Sequence, residues 1–272
     1  LATLIMLPFA WNGIRTYRDT IAREWRYVLL VGFIGITICG GLVYVALTLT
    51  TATHTALIYT VSPVMIVIAV AIVTRRMPPG AQFIGIFLAI AGVAVTATQG
   101  ELDNLLHLDF NRGDIFILFC ACCWAVYSLL LKRGNIQALP ASAAFCLIMM
   151  AGALLLTPLM IYETVTLNNF PATLRSWTSI VAIAVFASVF SYGSYQHCVR
   201  VFGPAVTGIF LYLLPAYGIV LAVIFLAEVF RPYHAVGLLL SLGGVLLATG
   251  SNLLVELRRR RQNPGAASDS LG

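Results

Sequence analysis

The chain has 272 residues, 60% of them hydrophobic and only 10% charged, with a formal net charge of +6 and a mean hydropathy of +0.95. Soluble domains carry roughly 25% charged residues because their surface faces water, so a soluble globular body is excluded. Apolar stretches of the ~20 residues that cross a bilayer recur along nearly the whole chain, which reads as a polytopic membrane protein.

Taken in chain order, "LATLIMLPFAW" at residues 1–11 is too short to span and is expected to be the far end of a helix that begins before Leu1. Apolar spans are predicted near 27–50, 52–74, 82–99, 114–131, 141–161, 177–198, 204–227 and 233–254, joined by short polar segments. Helices satisfy their own backbone in lipid. The apolar–polar alternation over about 10 residues that marks a barrel strand is absent, so the predicted fold class is all-α, polytopic. Two spans carry a proline inside an apolar run, "YTVSPVMIVIAVAIVTRR" at Tyr59–Arg76 and "FLYLLPAYGIVLAVIFLAE" at Phe210–Glu228. An interior proline costs about 3 kcal/mol or more unless neighbouring groups satisfy the freed carbonyl, and Ser62 is placed to help. Pro63 and Pro215 are read as helix kinks, which either shape a cavity or improve packing.

The six cysteines, Cys39, Cys120, Cys122, Cys123, Cys146 and Cys198, lie in or at the edge of apolar spans. That placement indicates no disulfide framework. "CACC" at 120–123 lacks a second Cys/His pair at metal-binding spacing, so small packing residues are the plainer reading and no metal or cofactor is expected.

Positive charge collects at every other joint. Arg15, Arg18, Arg23 and Arg26 lie in a 12–26 loop, followed by Arg75 and Arg76, then Lys132 and Arg133, then Arg200, and finally Arg258–Arg261. The opposite joints hold only Arg112, Arg175 and Arg231, with Glu101, Asp103, Asp109, Asp114, Glu163 and Glu228. The bias of Lys and Arg toward the cytoplasm therefore places the first set of loops and the basic tail 258–272, read as disordered, inside. It also accounts for the net charge without nucleic acid.

A shift of 152 residues superimposes the two proline runs. Gly41 meets Gly193, Thr55 meets Thr207, Pro63 meets Pro215, Gly85 meets Gly237, and Gly92 meets Gly244. Arg75 and Arg76 then fall opposite Ala227 and Glu228, as expected if the two copies cross the bilayer in opposite directions. Inverted repeats of this kind build many secondary transporters, with the substrate site near the midplane. Gly85 and Gly92, like Gly237 and Gly244, share a helix face and are expected to let helices approach closely.

The stretches "GGLVYVALTLTTATHTALIYTVSPVMIVIAVAIVTRRM" and "YGSYQHCVRVFGPAVTGIFLYLLPAYGIVLAVIFLAE", each followed by a Gly-rich helix, "GIFLAIAGVAV" and "GLLLSLGGVLLATG", resemble the EamA-type permeases of the drug/metabolite transporter superfamily. "CCWAVYSLLLKR" resembles the sixth helix of that family. The resemblance reaches to about Leu257. It implies ten helices in two five-helix inverted repeats with both termini cytoplasmic, and hence that the first helix and most of the second are missing here. The expected division is a first repeat over 1–99, an external connection over 100–113, a second repeat over 114–257 and the tail. The family commonly places an acid after the proline helix of both halves; this chain has Glu228 in the second and Arg76 in the first.

No Asp, Glu, Lys or Arg falls at mid-membrane depth, where ionisable groups usually mark ion or proton pathways. His54 and His234 lie near the external face and His197 near the cytoplasmic one, where anchoring is a plainer role than a relay. A neutral polar and aromatic set remains. Tyr192, Tyr195 and Gln196 share a face by their i, i+3, i+4 spacing. Trp124 and Ser128 share a face of their helix with Tyr127 adjoining, and Tyr44, Tyr59, Tyr212 and Tyr217 sit on the flanking spans. Ligand pockets are mostly apolar and aromatic with a few placed polar groups, so this set is read as substrate-binding. Interface belts and helix contacts are the competing use of the same residues.

The function expected is secondary transport of a small organic metabolite, amino-acid-like or related, outward across the inner membrane by alternating access. A membrane enzyme would need a nucleophile, an acid/base pair or a metal set; Asp103, His107 and Asp109 offer only a solvated acidic loop. A non-transporting receptor or assembly protein lacks a soluble domain to serve it. The expected partners are the substrate and the bilayer, no nucleic acid is implied, and homo-oligomerisation is left open.

Overall fold

The arginine-rich stretch 12–26 is helical, where the sequence reading had a loop. In the computed structural model, α1 (Ala2–Thr16, with Pro8 inside) stops at Tyr17 and α2 (Arg18–Gly32) starts at the next residue. Arg15, Arg18, Arg23 and Arg26 are all exposed. The helix thus emerges from its apolar part with its charged turns intact, because long cationic side chains reach water while their stems stay on the helix. The structure describes residues 1–50, 55, 58–101, 111–167, 173–214, 217, 220, 224 and 231–262.

From α2 the chain continues without a break into a π-helical segment, Phe33–Leu42 (here π1), and then α3 (Val43–Leu47). After α4 (Val61–Thr74) and α5 (Gly80–Ala97) come α6 (Arg112–Leu130) and α7 (Ala141–Leu167, with Pro158 inside). A second interrupted span follows: α8 (Leu174–Ala182), the π segment Ile183–Tyr192 (π2) and α9 (Gly193–Phe202). Then come α10 (Pro204–Phe210), a 3-10 turn at Leu211–Leu213, and α11 (Pro232–Gln262). No strand occurs among the described residues. Among the described residues six helices are long and apolar enough to cross a membrane, including the continuous runs Arg18–Leu47 and Leu174–Phe202. The protein is an all-α, multi-pass membrane protein.

Local chemistry fixes the helix ends. Asn111 caps α6 in a reciprocal box: its side chain accepts from the Asp114 N–H at 3.1 Å, and the Asp114 carboxylate accepts from the Asn111 N–H at 3.0 Å. Thr50 Oγ1 donates to the same carboxylate. Asp114, read from sequence as a loop acid, is therefore only 2% exposed. A capping box satisfies two orphan donors at once, which makes burial of this acid tolerable. Gly203 (φ +85°) closes the end of α9, and Gly134 (φ +76°) opens the 3-10 turn Asn135–Ala138 after α6, both in a region that glycine enters freely.

Two compact units emerge, one comprising Leu1–Thr51 with Asn111–Thr207 and the other Ala52–Phe110 with Gly208–Gly272. Each draws on both halves of the sequence. In the first, α7 packs along α1, α2 and π1, while α6 lies against π1 and α3. In the second, α5 and α11 form the dominant pair. Their starts, Gly80 and Pro232, differ by the same 152 residues that superimpose the proline runs. A Cβ added at Gly85 would lie 2.5 Å from the Ala248 N and 2.6 Å from the Gly244 O, and one at Gly92 would lie 2.5 Å from the Ser241 N and 2.6 Å from the Gly237 O. Rising numbers on α5 meet falling numbers on α11, so the two helices are antiparallel, and their backbones touch at all four glycines that the sequence assigned to close approach.

Candidate functional site

The site is assembled in the first unit, where α6 faces π1 on one side and the end of π2 with α9 on the other. Glycine at position 35 of π1 makes room for a ring: a Cβ there would collide with Tyr127 of α6. Tyr127 is 0% exposed. One turn earlier on α6, Trp124 is the hub. Its ring lies 5.3 Å from that of Tyr127, 5.4 Å and edge-on (84°) from Tyr192, and 4.8 Å from Tyr195. Such offset and edge-to-face pairs are worth about 0.5–1.5 kcal/mol beyond their burial.

Polar groups thread this cluster. Ser128 Oγ donates to the Trp124 carbonyl at 2.7 Å. Its single proton is then used, so at 2.6 Å from Tyr195 Oη it accepts, and the Tyr195 hydroxyl is the donor. Gln196 Nε2 donates to Tyr127 Oη at 2.8 Å. The half-buried Tyr192 reaches the Gly35 carbonyl at 3.4 Å. The Trp124 indole N–H lies beside the Tyr195 hydroxyl without reaching hydrogen-bonding geometry. Trp124, Tyr127, Ser128, Tyr192, Tyr195 and Gln196, all named from sequence, are thus brought together.

The other sequence-named residues are placed elsewhere. Tyr44 on α3 is 58% exposed. Tyr59 is half-buried and Tyr212 fully buried in the second unit, where Tyr212 Oη donates to the Thr60 carbonyl at 3.0 Å. Tyr217 is largely exposed. Pro63 is the third residue of α4, whose N-cap is Thr60. In a first turn the missing N–H has no intrahelical partner to lose, so the proline is accommodated by position. The role read for Ser62 is corrected accordingly: it is 1% exposed and its Oγ has no hydrogen-bond partner among the described residues. Pro215, His54, Asp103, His107, Asp109 and Glu228 lie outside the described residues. His197 is exposed, and His234 caps α11, its Nδ1 accepting from the Arg231 N–H at 3.2 Å.

Gln196 has a second neighbourhood that sequence reasoning missed. It lines a cavity of about 500 Å³, walled by Phe145, Ile148 and Val189, with Gln137 and Arg200 also lining it. The Arg200 guanidinium donates through Nη2 to the carbonyls of Gln137 and Leu139. The signal was present in the sequence as the i, i+4 spacing of Gln196 and Arg200, but only the packing of α7 and the 134–140 turn makes it a cavity. Cys39 of π1 and Cys120 of α6 are buried where these elements meet, with Cys39 Sγ 3.5 Å from the Cys120 carbonyl. All six cysteines are free. No group of three or more His, Cys, Asp or Glu that could hold a metal occurs among the described residues. The arrangement offers ring faces, hydroxyls and one amide: groups for binding and orientation.

The model of the EamA-like transporter family matches residues 1–98 and 111–250. The chain is 28% identical over 261 residues to the uncharacterized transporter YyaM of Bacillus subtilis, covering 96% of this chain and 84% of that protein. It is 27% identical to the threonine/homoserine exporter RhtA of Escherichia coli K12, covering 94% and 80%. Against a probable terminal-alkyne amino-acid exporter of Streptantibioticus cattleyicolor the identity is 28%, covering 77% and 67%. A solved structure described as "Crystal structure of protein" superposes with a TM-score of 0.65 at 19% identity, over 91% of this chain and 86% of that one, a likeness of fold.

Proposed function

Because the chain belongs to the EamA-like transporter family, and is thereby a small-molecule transporter of the membrane, we propose that it is a secondary permease exporting an amino-acid-like metabolite by alternating access. The observation that carries this reading is the closed cluster of Trp124, Tyr127, Ser128, Tyr192, Tyr195 and Gln196. It is neutral, buried except for the half-buried Tyr192, and built on three helical elements, as a site for a small zwitterion or polar metabolite would be. Buried carboxylates are absent from it, which favours recognition by ring faces and dipoles over a carboxylate-based ion relay. The names of the relatives, two of them amino-acid exporters, support the substrate class.

Orientation follows from the basic joints, with Arg75, Lys132, Arg200 and the C-terminal tail in the cytoplasm of a cell bounded by an inner membrane. The reciprocal glycine contacts of α5 and α11 support two copies of opposite polarity. Alternating access then consists of the two repeats rocking about the cluster. The test is transport by the purified protein in proteoliposomes loaded with a panel of amino acids. Efflux of at least one member, reduced roughly ten-fold or more in Trp124→Ala, is the expected result; failure to move any member in either direction would sink the reading.

A further inference from the structure

Arg200 is held in a way that leaves it unfinished. A guanidinium has five N–H donors in a planar fork. Here Nη2 serves the Gln137 and Leu139 carbonyls, which fix the side chain but do not neutralise it. Among the described residues no carboxylate pairs with Arg200; the ion pair found there joins Arg18 to Asp19. The adjoining cation, Lys132, donates to the Arg200 carbonyl at 2.9 Å and adds positive charge. The cavity beside it is walled mainly by apolar side chains, and in such surroundings an unpaired cation attracts an anion more strongly than in water.

We propose that this cavity is the cytoplasmic entry site of the permease and that Arg200 selects substrates bearing a carboxylate, which it binds through its remaining N–H groups. This rests on the export reading above and adds the recognition group to it. The spacing supports the assignment. Gln196 and Arg200 are four residues apart on α9, so their side chains are neighbours about 5–6 Å apart on one face. That span suits a small amino acid with its carboxylate on Arg200 and its amino or hydroxyl group toward the Gln196 amide. Gln196 in turn bonds Tyr127, so an occupant of the cavity touches the group that closes the aromatic cluster. Fork-to-carboxylate bonding is planar and charge-assisted, and an amide in place of the carboxylate forfeits it.

A native reporter is available, because Cys198 lines the same cavity and is partly exposed. In phosphatidylcholine proteoliposomes, N-ethylmaleimide labelling of Cys198, located by peptide mass spectrometry, is followed with L-threonine, L-homoserine, L-leucine and L-phenylalanine and with their carboxamides. At least one free acid is expected to slow labelling roughly ten-fold at a concentration where its amide does not, the ratio that loss of one charge-assisted contact implies. Arg200→Gln is expected to erase this difference and Arg200→Lys to keep part of it. Equal protection by acid and amide, absence of protection by every compound, or undiminished discrimination in Arg200→Gln overturns the proposal. So does protection that appears only when phosphatidylglycerol is added, which would assign Arg200 to a lipid phosphate. Should Arg200→Gln fail to fold, the acid–amide comparison on the unaltered protein decides alone. Transport without these effects would defeat the entry site and leave the permease standing, whereas loss of the permease reading requires absence of transport itself.

Discussion

Between α5 and α11 a Cβ added at Gly92 would meet main-chain atoms of Ser241 and Gly237 at 2.5 and 2.6 Å, whereas at Gly35 of π1 it would meet the ring of Tyr127. The first contact is backbone against backbone. Its hydroxyls stay within the seam, Thr96 Oγ1 donating to the Gly92 carbonyl at 3.0 Å and Ser241 Oγ lying beside Gly92, and its energy comes from dispersion and close approach, as expected where lipid removes the hydrophobic drive between helices. The second contact is backbone against an aromatic side chain that carries a hydroxyl, and that hydroxyl needs a partner, here Gln196. Burial through glycine makes a seam; burial through rings makes a network whose hydrogen bonds a ligand can exchange. The helix pair of one unit thus rests on backbone contact, and the interior of the other carries the network to which the proposed function gives recognition.

The largest effect is expected from breaking the seam. Gly92→Leu forces a side chain into main-chain atoms that cannot give way, at a cost toward the upper end of the roughly 1–3 kcal/mol of overpacking. Size-exclusion profiles in detergent should show loss of the monodisperse species. Survival of a sharp, fully active peak would show that α5 and α11 do not depend on contact at this glycine. Next comes Gln196→Leu, which keeps bulk but removes the amide from both Tyr127 and the cavity. Transport should fall roughly ten-fold or more, while stability drops by only about 1–2 kcal/mol, the cost of an orphaned buried hydroxyl. Equal losses in both measurements would make Gln196 a packing residue.

Tyr195→Phe is milder. It removes the donor to Ser128 Oγ, whose own proton remains on the Trp124 carbonyl, so thermal stability should fall by about 1 kcal/mol. An unchanged melting temperature would argue against the donor assignment. The smallest effect belongs to Ser62→Ala, in the seam's own unit. Its buried hydroxyl makes no hydrogen bond among the described residues, so removal should be neutral or stabilising by up to about 1 kcal/mol. A loss comparable to that of Tyr195→Phe would reveal a partner for Ser62 and restore the role that the sequence implied.

Much of the site could be read in advance, and the misses have physical causes. The trio Tyr192, Tyr195 and Gln196 was legible because helical spacing puts i, i+3 and i+4 on one face even though Tyr192 ends π2 and the other two open α9. Tyr44 and Tyr212 were not separable from the trio by type, yet one is exposed and the other bonds a main-chain carbonyl. Neither π segment was visible, because i→i+5 bonding leaves no compositional mark in an apolar run. Asp114 looked like a loop acid because a capping box shows its purpose only when the two side chains and a neighbouring Thr50 are in place.

The sequence by itself determined that this is a helical membrane protein and which glycines sit at helix contacts. Lipid judges each residue by its hydropathy, and a missing Cβ permits close approach wherever it occurs, so both facts survive without tertiary information. Which rings meet, which hydroxyl donates, and that Arg200 overlooks a cavity with three of its five N–H donors unspent were decided only by the tertiary structure. Those outcomes depend on the rotation of each helix about its axis and on the turns that bring α7 beside α9, and residue type constrains neither.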